Sequence, residues 1–319
     1  MNDIVYDPQR AAELARQQIE QWQTSPPAST VTYIPDLDDM IEPLINNLHT
    51  VMAYTDHGKT TLLDTIAENN ADNCAPNEIV VKVGMEESIE EQLRRKVSRA
   101  AGLSIPALLS EKRSDIDWKK AMDAFILAAG TPLWYIGHSE QEYRKSGGAI
   151  TVKDMETAFN YIIESHGKKV KLVVVDYFQR IGRSGGRDTR VQYKDMADEI
   201  SRLAIGVAPF LVASQVDRNV DKREKWKVPT ISDMQETSAL EQYSRTVLTQ
   251  YLPLRHANPG DWFDIGDKSY FIHPNTAIVG VLKLKTDDET KAPPKHRAFR
   301  RQMVEGRAVY ERQLPDART

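Results

Sequence analysis

The segment Ala53-Tyr54-Thr55-Asp56-His57-Gly58-Lys59-Thr60-Thr61 constrains this chain more than any other. It follows a short apolar run, Val51 to Tyr54, and opens a helical pattern over 59–69. A strand, a tight turn ending in Gly-Lys-Thr and a helix make a P-loop, here with Ala53 in place of the first glycine. Backbone N–H groups of such a turn cradle phosphates, Lys59 reaches the terminal phosphates, and the Thr60 hydroxyl is a ligand for Mg²⁺. The expected nucleotide-binding set is Ala53, Asp56, His57, Gly58, Lys59, Thr60 and Thr61, with His57 read as an exposed loop residue and not a catalyst.

A magnesium ion held there needs a carboxylate at the C-terminal edge of the same sheet. Leu172-Val173-Val174-Val175-Asp176 supplies one: an apolar strand ending in an acid is the Walker B pattern, with Asp176 as the metal residue. Hydrolysis also needs a group to orient or deprotonate water. Glu86 and Glu87 both follow the apolar run Ile79 to Val83, expected beside the P-loop strand, and either could serve. The competing explanation is a helix start decorated with acids, Glu86, Glu87, Glu90 and Glu91, which favour the helix dipole. Ser214-Gln215, just past another apolar strand, offers an amide that can sense a γ-phosphate and pass its loss into the next loop.

The rest of the pattern fits an α/β fold. Strands are predicted at Val51 to Tyr54, Ile79 to Val83, Leu133 to Ile136, Leu172 to Asp176, Phe210 to Ser214, Thr246 to Tyr251 and Ala277 to Leu284. Helices are predicted over 59–69, 89–101, 117–129, 152–165 and 191–206, the fourth with a near capping box from Thr151 to Asp154. Strand and helix in alternation predict a mostly parallel sheet covered on both faces, and the tail from about 245 to 319 reads as an antiparallel extension. Ahead of this core, Asp7-Pro8 caps one amphipathic helix that ends at Thr24-Ser25-Pro26-Pro27. Residues 1–30 are therefore expected to be a helix and Pro-rich tether, and 31–319 one nucleotide-binding domain.

Composition removes several classes. With 319 residues, 42 basic against 46 acidic, no global positive field draws the chain onto nucleic acid, though a local basic surface remains open. The single cysteine, Cys74, closes no internal disulfide and builds no cysteine zinc cage, which suits a reducing, cytoplasmic location. No apolar run reaches the length of a membrane span, and the start lacks a signal-peptide pattern.

The order of these pieces resembles one family: the RecA-like ATPase domain of bacterial replicative helicases of the DnaB type. The resemblance is carried by the P-loop, Val83-Gly84-Met85-Glu86, Asp117-Trp118, Pro132 to Ile136, and Val174-Val175-Asp176-Tyr177-Phe178-Gln179. It continues through Ala213 to Arg218, Ser232 to Glu236, Leu240-Glu241-Gln242 and Lys283-Leu284-Lys285, covering roughly residues 30 to 312. It implies a RecA-like P-loop NTPase core, with ATP and Mg²⁺ held at Lys59, Thr60 and Asp176. Glu86 becomes the catalytic base and Gln215 the γ-phosphate sensor. Lys283 and Lys285 match the Lys-x-Arg pair that such helicases insert into the neighbouring subunit's site, but Lys285 lacks the guanidinium fork. Channel loops that track single-stranded DNA match the segments around Ser184 to Arg187 and Asp217 to Thr237, with Arg187, Arg218, Lys222, Arg223 and Gln235 as the nucleic-acid residues. Gln235, Thr237 and Ser238 stand where these helicases usually have Arg, Ser and Gly.

The resemblance further implies a homo-oligomer, a hexameric ring, with a loader or primase as partner and no membrane. The family's N-terminal helical domain is expected to be absent ahead of residue 30, and the segment there resembles the linker helix that docks onto an adjacent subunit. The expected function is thus an ATP-dependent helicase motor translocating on single-stranded DNA. The rival is an ATP-dependent DNA-binding or assembly module, such as a loader, a recombination mediator or a helicase-like partner, that does not unwind. A small-molecule kinase is a third reading, which lacks a recognisable arginine-bearing lid. Lys291, Lys295, Arg297, Arg300 and Arg301, around Pro293-Pro294, make a basic stretch that reads as a solvated face or a nucleic-acid contact.

Overall fold

Val173 and Val175 feed one apolar layer while Leu172 and Val174 feed the other, so a single strand supplies both cores of the molecule. That period of two, on a strand buried along most of its length, requires helices on both sides of the sheet. The computed structural model describes residues 7–24, 29–110, 114–182, 188–216, 227–234, 238–286, 288, 290, 292–304 and 306–316.

In chain order the elements are α1 (Pro8–Thr24), β1 (Ser29–Thr30), α2 (Pro35–Asp38), β2 (Leu44–Ile45), β3 (Leu48–Ala53), α3 (Lys59–Asp72) and β4 (Glu78–Gly84). There follow α4 (Ile89–Ala101), α5 (Ile105–Leu109), α6 (Asp115–Gly130), β5 (Leu133–Ile136), α7 (Glu140–Ser146), α8 (Val152–His166), β6 (Lys169–Asp176), α9 (Thr189–Gly206) and β7 (Phe210–Gln215). The last part holds α10 (Ser238–Tyr243), β8 (Thr246–Tyr251), β9 (Trp262–Ile265), β10 (Lys268–Phe271), β11 (Thr276–Leu284), β12 (Lys295–Val304) and β13 (Arg307–Arg312).

Nine strands form the central sheet in the order β13-β12-β11-β8-β3-β7-β6-β4-β5. From β8 to β5 every pairing is parallel. From β8 outward through β11, β12 and β13 every pairing is antiparallel. The expected architecture is observed, with one refinement: β8 opens the tail yet lies parallel to β3. A second difference concerns β4, expected beside the P-loop strand. It sits three places away, with β7 and β6 between, because the chain order of strands does not dictate their lateral order.

One layer packs α8 and α9 on the sheet through Met155, Phe159, Ile162, Tyr193, Met196 and Ile200. The other packs α3 through Leu62, Leu63 and Ile66 against Val51, Leu172, Leu211, Leu248 and, from the antiparallel tail, Phe299 and Tyr310. Each of these side chains contributes about 1.5–3 kcal/mol by leaving water. Helix starts follow their sequence signals: Ser88 and Glu91 form a capping box on α4, and Thr151 and Asp154 form the one expected on α8. Every α1 residue whose side chain is described is exposed, including the apolar Leu14 and Ile19. Among the described residues no helix is long and apolar enough to cross a membrane.

Candidate active site

β3 ends at Ala53, and the chain turns through Asp56 (φ +62°) and Gly58 (φ +78°) to start α3 at Lys59. Both φ values lie in the left-handed region, which glycine adopts at little cost and aspartate tolerates. Gly58 is also crowded: a Cβ there would lie 2.5 Å from Gln250 Nε2 and 2.6 Å from Arg301 Nη1. No side chain caps the start of α3, so its first N–H groups remain available to an anion.

The Thr60 hydroxyl donates to Asp176 Oδ2 at 2.8 Å, across the two elements that a Walker pair must bring together. Asp176 is buried, and its second oxygen, Oδ1, has no hydrogen-bond partner among the described residues. A buried carboxylate oxygen without a donor costs free energy unless something positive meets it. Hydroxyl and carboxylate oxygens are hard donors, and Mg²⁺ is commonly held by one or two protein ligands plus substrate phosphates. The residues present therefore fit Mg²⁺ at Thr60 and Asp176.

Lys59 is buried, with Nζ 4.8 Å from the centre of the Tyr177 ring. Burial pushes its pKa below the usual lysine range, and the charges of Asp176 and Glu86 pull it back up. Lys59, Asp176 and Glu86 are thus electrostatically coupled. The β4–β6 register sets Gly84 opposite Asp176, and Met85 N–H donates to the Asp176 carbonyl at 3.3 Å. Glu86 leaves the strand end with an exposed side chain, and its backbone carbonyl accepts from the Tyr143 hydroxyl at 2.5 Å. Glu87 differs: its carboxylate pairs with Arg95, and burial raises its pKa. The two acids that the sequence left as alternatives therefore have different surroundings, and Glu86 is the one whose charge Lys59 feels.

Gln215 ends β7, in register with Ala53. Gln179 clamps its backbone, accepting from Gln215 N–H at 3.3 Å and donating to the Gln215 carbonyl at 3.2 Å. Behind the site, Asp64 of α3 pairs with Lys82 of β4 and with Arg99 of α4 at 3.2 Å. Burial alone would raise the Asp64 pKa, but the two cations outweigh it and hold it low. This cluster ties the P-loop helix to the strand that carries Glu86.

His57 is the clearest correction. It is 3% exposed, its Nδ1 accepts from Leu252 N–H at 3.1 Å, and it stacks on Tyr251 with centroids 5.0 Å apart. The side chain anchors the loop from beneath, because β8 delivers an aromatic bed there. Its carbonyl accepts from Gln250 Nε2 at 2.8 Å. Thr61, half-buried in the first turn of α3, and the exposed Asp56 complete the loop set.

Lys283 and Lys285 are not brought to this site. Leu284 pairs with Thr246, and Thr246 pairs with His49, at the end of β3 remote from the loop. Lys283 Nζ donates to the Glu241 carbonyl, and Lys285 is exposed. Arg187, Arg218, Lys222, Arg223 and Gln235 lie outside the described residues. Within the basic stretch around Pro293-Pro294 the arginines of one face have different neighbours. Arg297 pairs with Asp36 at 3.4 Å and Asp39 at 3.5 Å, whereas Arg301 reaches the P-loop.

Sequence reasoning assigned no role to Gln179, Tyr177, Tyr143 or Gln250. The first two sit in the Asp176-Tyr177-Phe178-Gln179 motif, so a signal existed. Tyr143 and Gln250 act through tertiary contacts that no local pattern announces.

The sequence matches the family described as DnaB-like helicase C terminal domain over residues 30–259. No curated protein matches it. Among solved structures it is similar to one of an ATPase domain, with TM-score 0.70, 18% identity, 95% of this chain and 99% of that chain covered. It is also similar to the structure of a DnaB-like replicative helicase and its interactions with primase, with TM-score 0.69, 18% identity, 93% of this chain and 66% of that chain covered.

Proposed function

The chain belongs to the DnaB-like helicase C terminal domain family and is a P-loop ATPase of that helicase type, and from that premise we propose that it translocates on single-stranded DNA as a ring driven by Mg-ATP hydrolysis at subunit interfaces. ATP lies on the loop from Gly58 to Thr61, with the Lys59 ammonium neutralising its terminal phosphates. Thr60 and Asp176 would hold Mg²⁺, which when bound balances charge on the β- and γ-phosphates. The exposed Glu86 carboxylate accepts the proton of the attacking water. Gln215, fixed by Gln179 at the strand end, registers loss of the γ-phosphate and passes it toward the segment that follows.

The observation that carries this reading is the Thr60–Asp176 hydrogen bond together with the unpartnered Asp176 Oδ1, beside a lysine that feels both Asp176 and Glu86. The ring is supported by Lys283 of β11 and Lys285 just beyond it, which lie remote from their own loop and are suited to a neighbour's site. The exposed apolar residues of α1 suit a linker helix berthed on an adjacent subunit. Arg187, Arg218, Lys222, Arg223 and Gln235 are the proposed DNA contacts of the channel, and a loader or primase is the proposed partner class.

The test is the ATPase rate with and without single-stranded DNA, alongside mass in solution with a non-hydrolysable ATP analogue. We expect DNA-stimulated hydrolysis and a ring-sized assembly. Full activity from a strictly monomeric chain would contradict hydrolysis at subunit interfaces. Lysine at 285, in place of arginine, favours the alternative of an ATP-dependent module that binds DNA without unwinding it. That alternative predicts nucleotide-dependent DNA binding with no displaced strand.

A further inference from the structure

The sheet order gives a bound nucleotide a direction. Thr60 faces Asp176 of β6, and Lys59 feels Glu86 at the end of β4, so the terminal phosphates point toward the β6–β4 side. On the other side of β3 the sheet continues through β8 to β11 and β12, open to the nucleoside end of such a ligand. Arg301 of β12 waits on that side. It shares a sheet face with Phe299, two residues earlier, and Phe299 packs in the same layer as α3. Its Nη1 would lie 2.6 Å from a Cβ at Gly58, which puts the guanidinium against the residue just before α3.

The arginine is held in that direction. Tyr310 is its cross-strand neighbour, the Tyr310 hydroxyl donates to Gln250 Oε1 at 3.0 Å, and Gln250 Nε2 donates to the His57 carbonyl at 2.8 Å. Arg301, Tyr310, Gln250 and the loop backbone therefore form one connected set. Among the described residues, no carboxylate pairs with Arg301, although Arg297 on the same strand has Asp36 and Asp39. A half-buried guanidinium without a counter-ion, beside a phosphate-binding turn, is left for an anion to neutralise.

Resting on the ATPase reading above, we infer that Arg301 is a phosphate-binding residue supplied in cis, contacting the α-phosphate of the nucleotide held by its own P-loop. Planar, bidentate recognition suits a guanidinium, and a lysine retains only the charge. The antiparallel extension thereby supplies an arginine to its own site, in addition to the lysines it offers a neighbour.

The test is titration of the full chain, R301Q and R301K with fluorescent ADP and with ATPγS, both with Mg²⁺, together with melting of each protein without nucleotide. We expect R301Q to weaken ADP and ATPγS alike, by about tenfold, since the α-phosphate is common to both, and R301K to recover part of the loss. Unchanged binding of ADP by R301Q overturns the assignment, as does a loss confined to ATPγS. A lowered apo melting temperature with equal weakening in R301K and R301Q would make Arg301 a structural brace and also overturns it. Failure of the unsubstituted chain to bind either nucleotide would instead overturn the nucleotide-site reading, and this inference with it.

Discussion

Compared with the parallel strands β3, β6 and β4, whose C-terminal ends gather Lys59, Asp176 and Glu86 into one electrostatic group, the antiparallel strands β11 and β12 scatter their charges. Lys283 and Lys285 leave β11 remote from the P-loop, and Arg301 on β12 turns toward it. The parallel half places its functional residues by one rule: they follow the ends of buried strands at one edge. In the antiparallel half, direction alternates from strand to strand, so the register decides which site a residue can serve. One chain thus gathers three charged residues at one sheet edge and carries Lys283 and Lys285 away from it.

The largest effects should come from the parallel half. Lys59→Ala is expected to lower ATP hydrolysis by about a thousandfold and to weaken nucleotide binding as well, measured by steady-state turnover and by titration. Glu86→Gln should cost a similar factor of about a thousand in turnover while nucleotide still binds. Glu87→Gln should change turnover by less than about threefold, because Glu87 is engaged with Arg95; a reversed ranking of the two acids would break the assignment.

Acid should loosen the same half next. His49 of the P-loop strand is 1% exposed, and burial, then the positive charge of Arg245, pushes its pKa down to about 4, against the Ile45 carbonyl that favours the charged ring. The folded chain therefore binds fewer protons than the unfolded one between the ordinary histidine value of 6.5 and about 4. Stability from neutral His49 is present above pH 6.5 and lost as pH falls toward 4, by about 3 kcal/mol. Denaturant midpoints at pH 7 and 4.5 should show this slope, and His49→Gln should remove its share of it.

A more modest loss probes the antiparallel half. Lys285→Ala should reduce hydrolysis by about tenfold in the assembled protein and leave nucleotide affinity of a dilute, dissociated subunit unchanged. Equal losses at all protein concentrations would mean that Lys285 does not act on a neighbour.

What could be read in the residues follows the same division. The P-loop, the Walker strand and the base strand are local patterns that spacing picked out, with Glu86 and Glu87 left open until the family resemblance singled out Glu86, and the strand bounds at 133–136 and 246–251 matched the prediction. Lateral order was not legible: β4 lies three strands from β3, and nothing in the 79–83 run encodes that distance. The burial of His57 depends on Tyr251, nearly two hundred residues away in the chain, and the loop motif alone gave no sign of it. Arg301 stood in a basic stretch that read as solvent-facing, because adjacent strand residues face opposite ways and only the β12–β13 register tells which arginine turns inward.

The most direct measurement is strand displacement on a forked DNA duplex with Mg-ATP, comparing the full chain with Lys59→Ala. The account predicts ATP-dependent release of one strand by the full chain and none by the variant. Hydrolysis and DNA binding without any released strand, under conditions where the assembly forms, would contradict a helicase motor and leave a DNA-binding ATPase in its place.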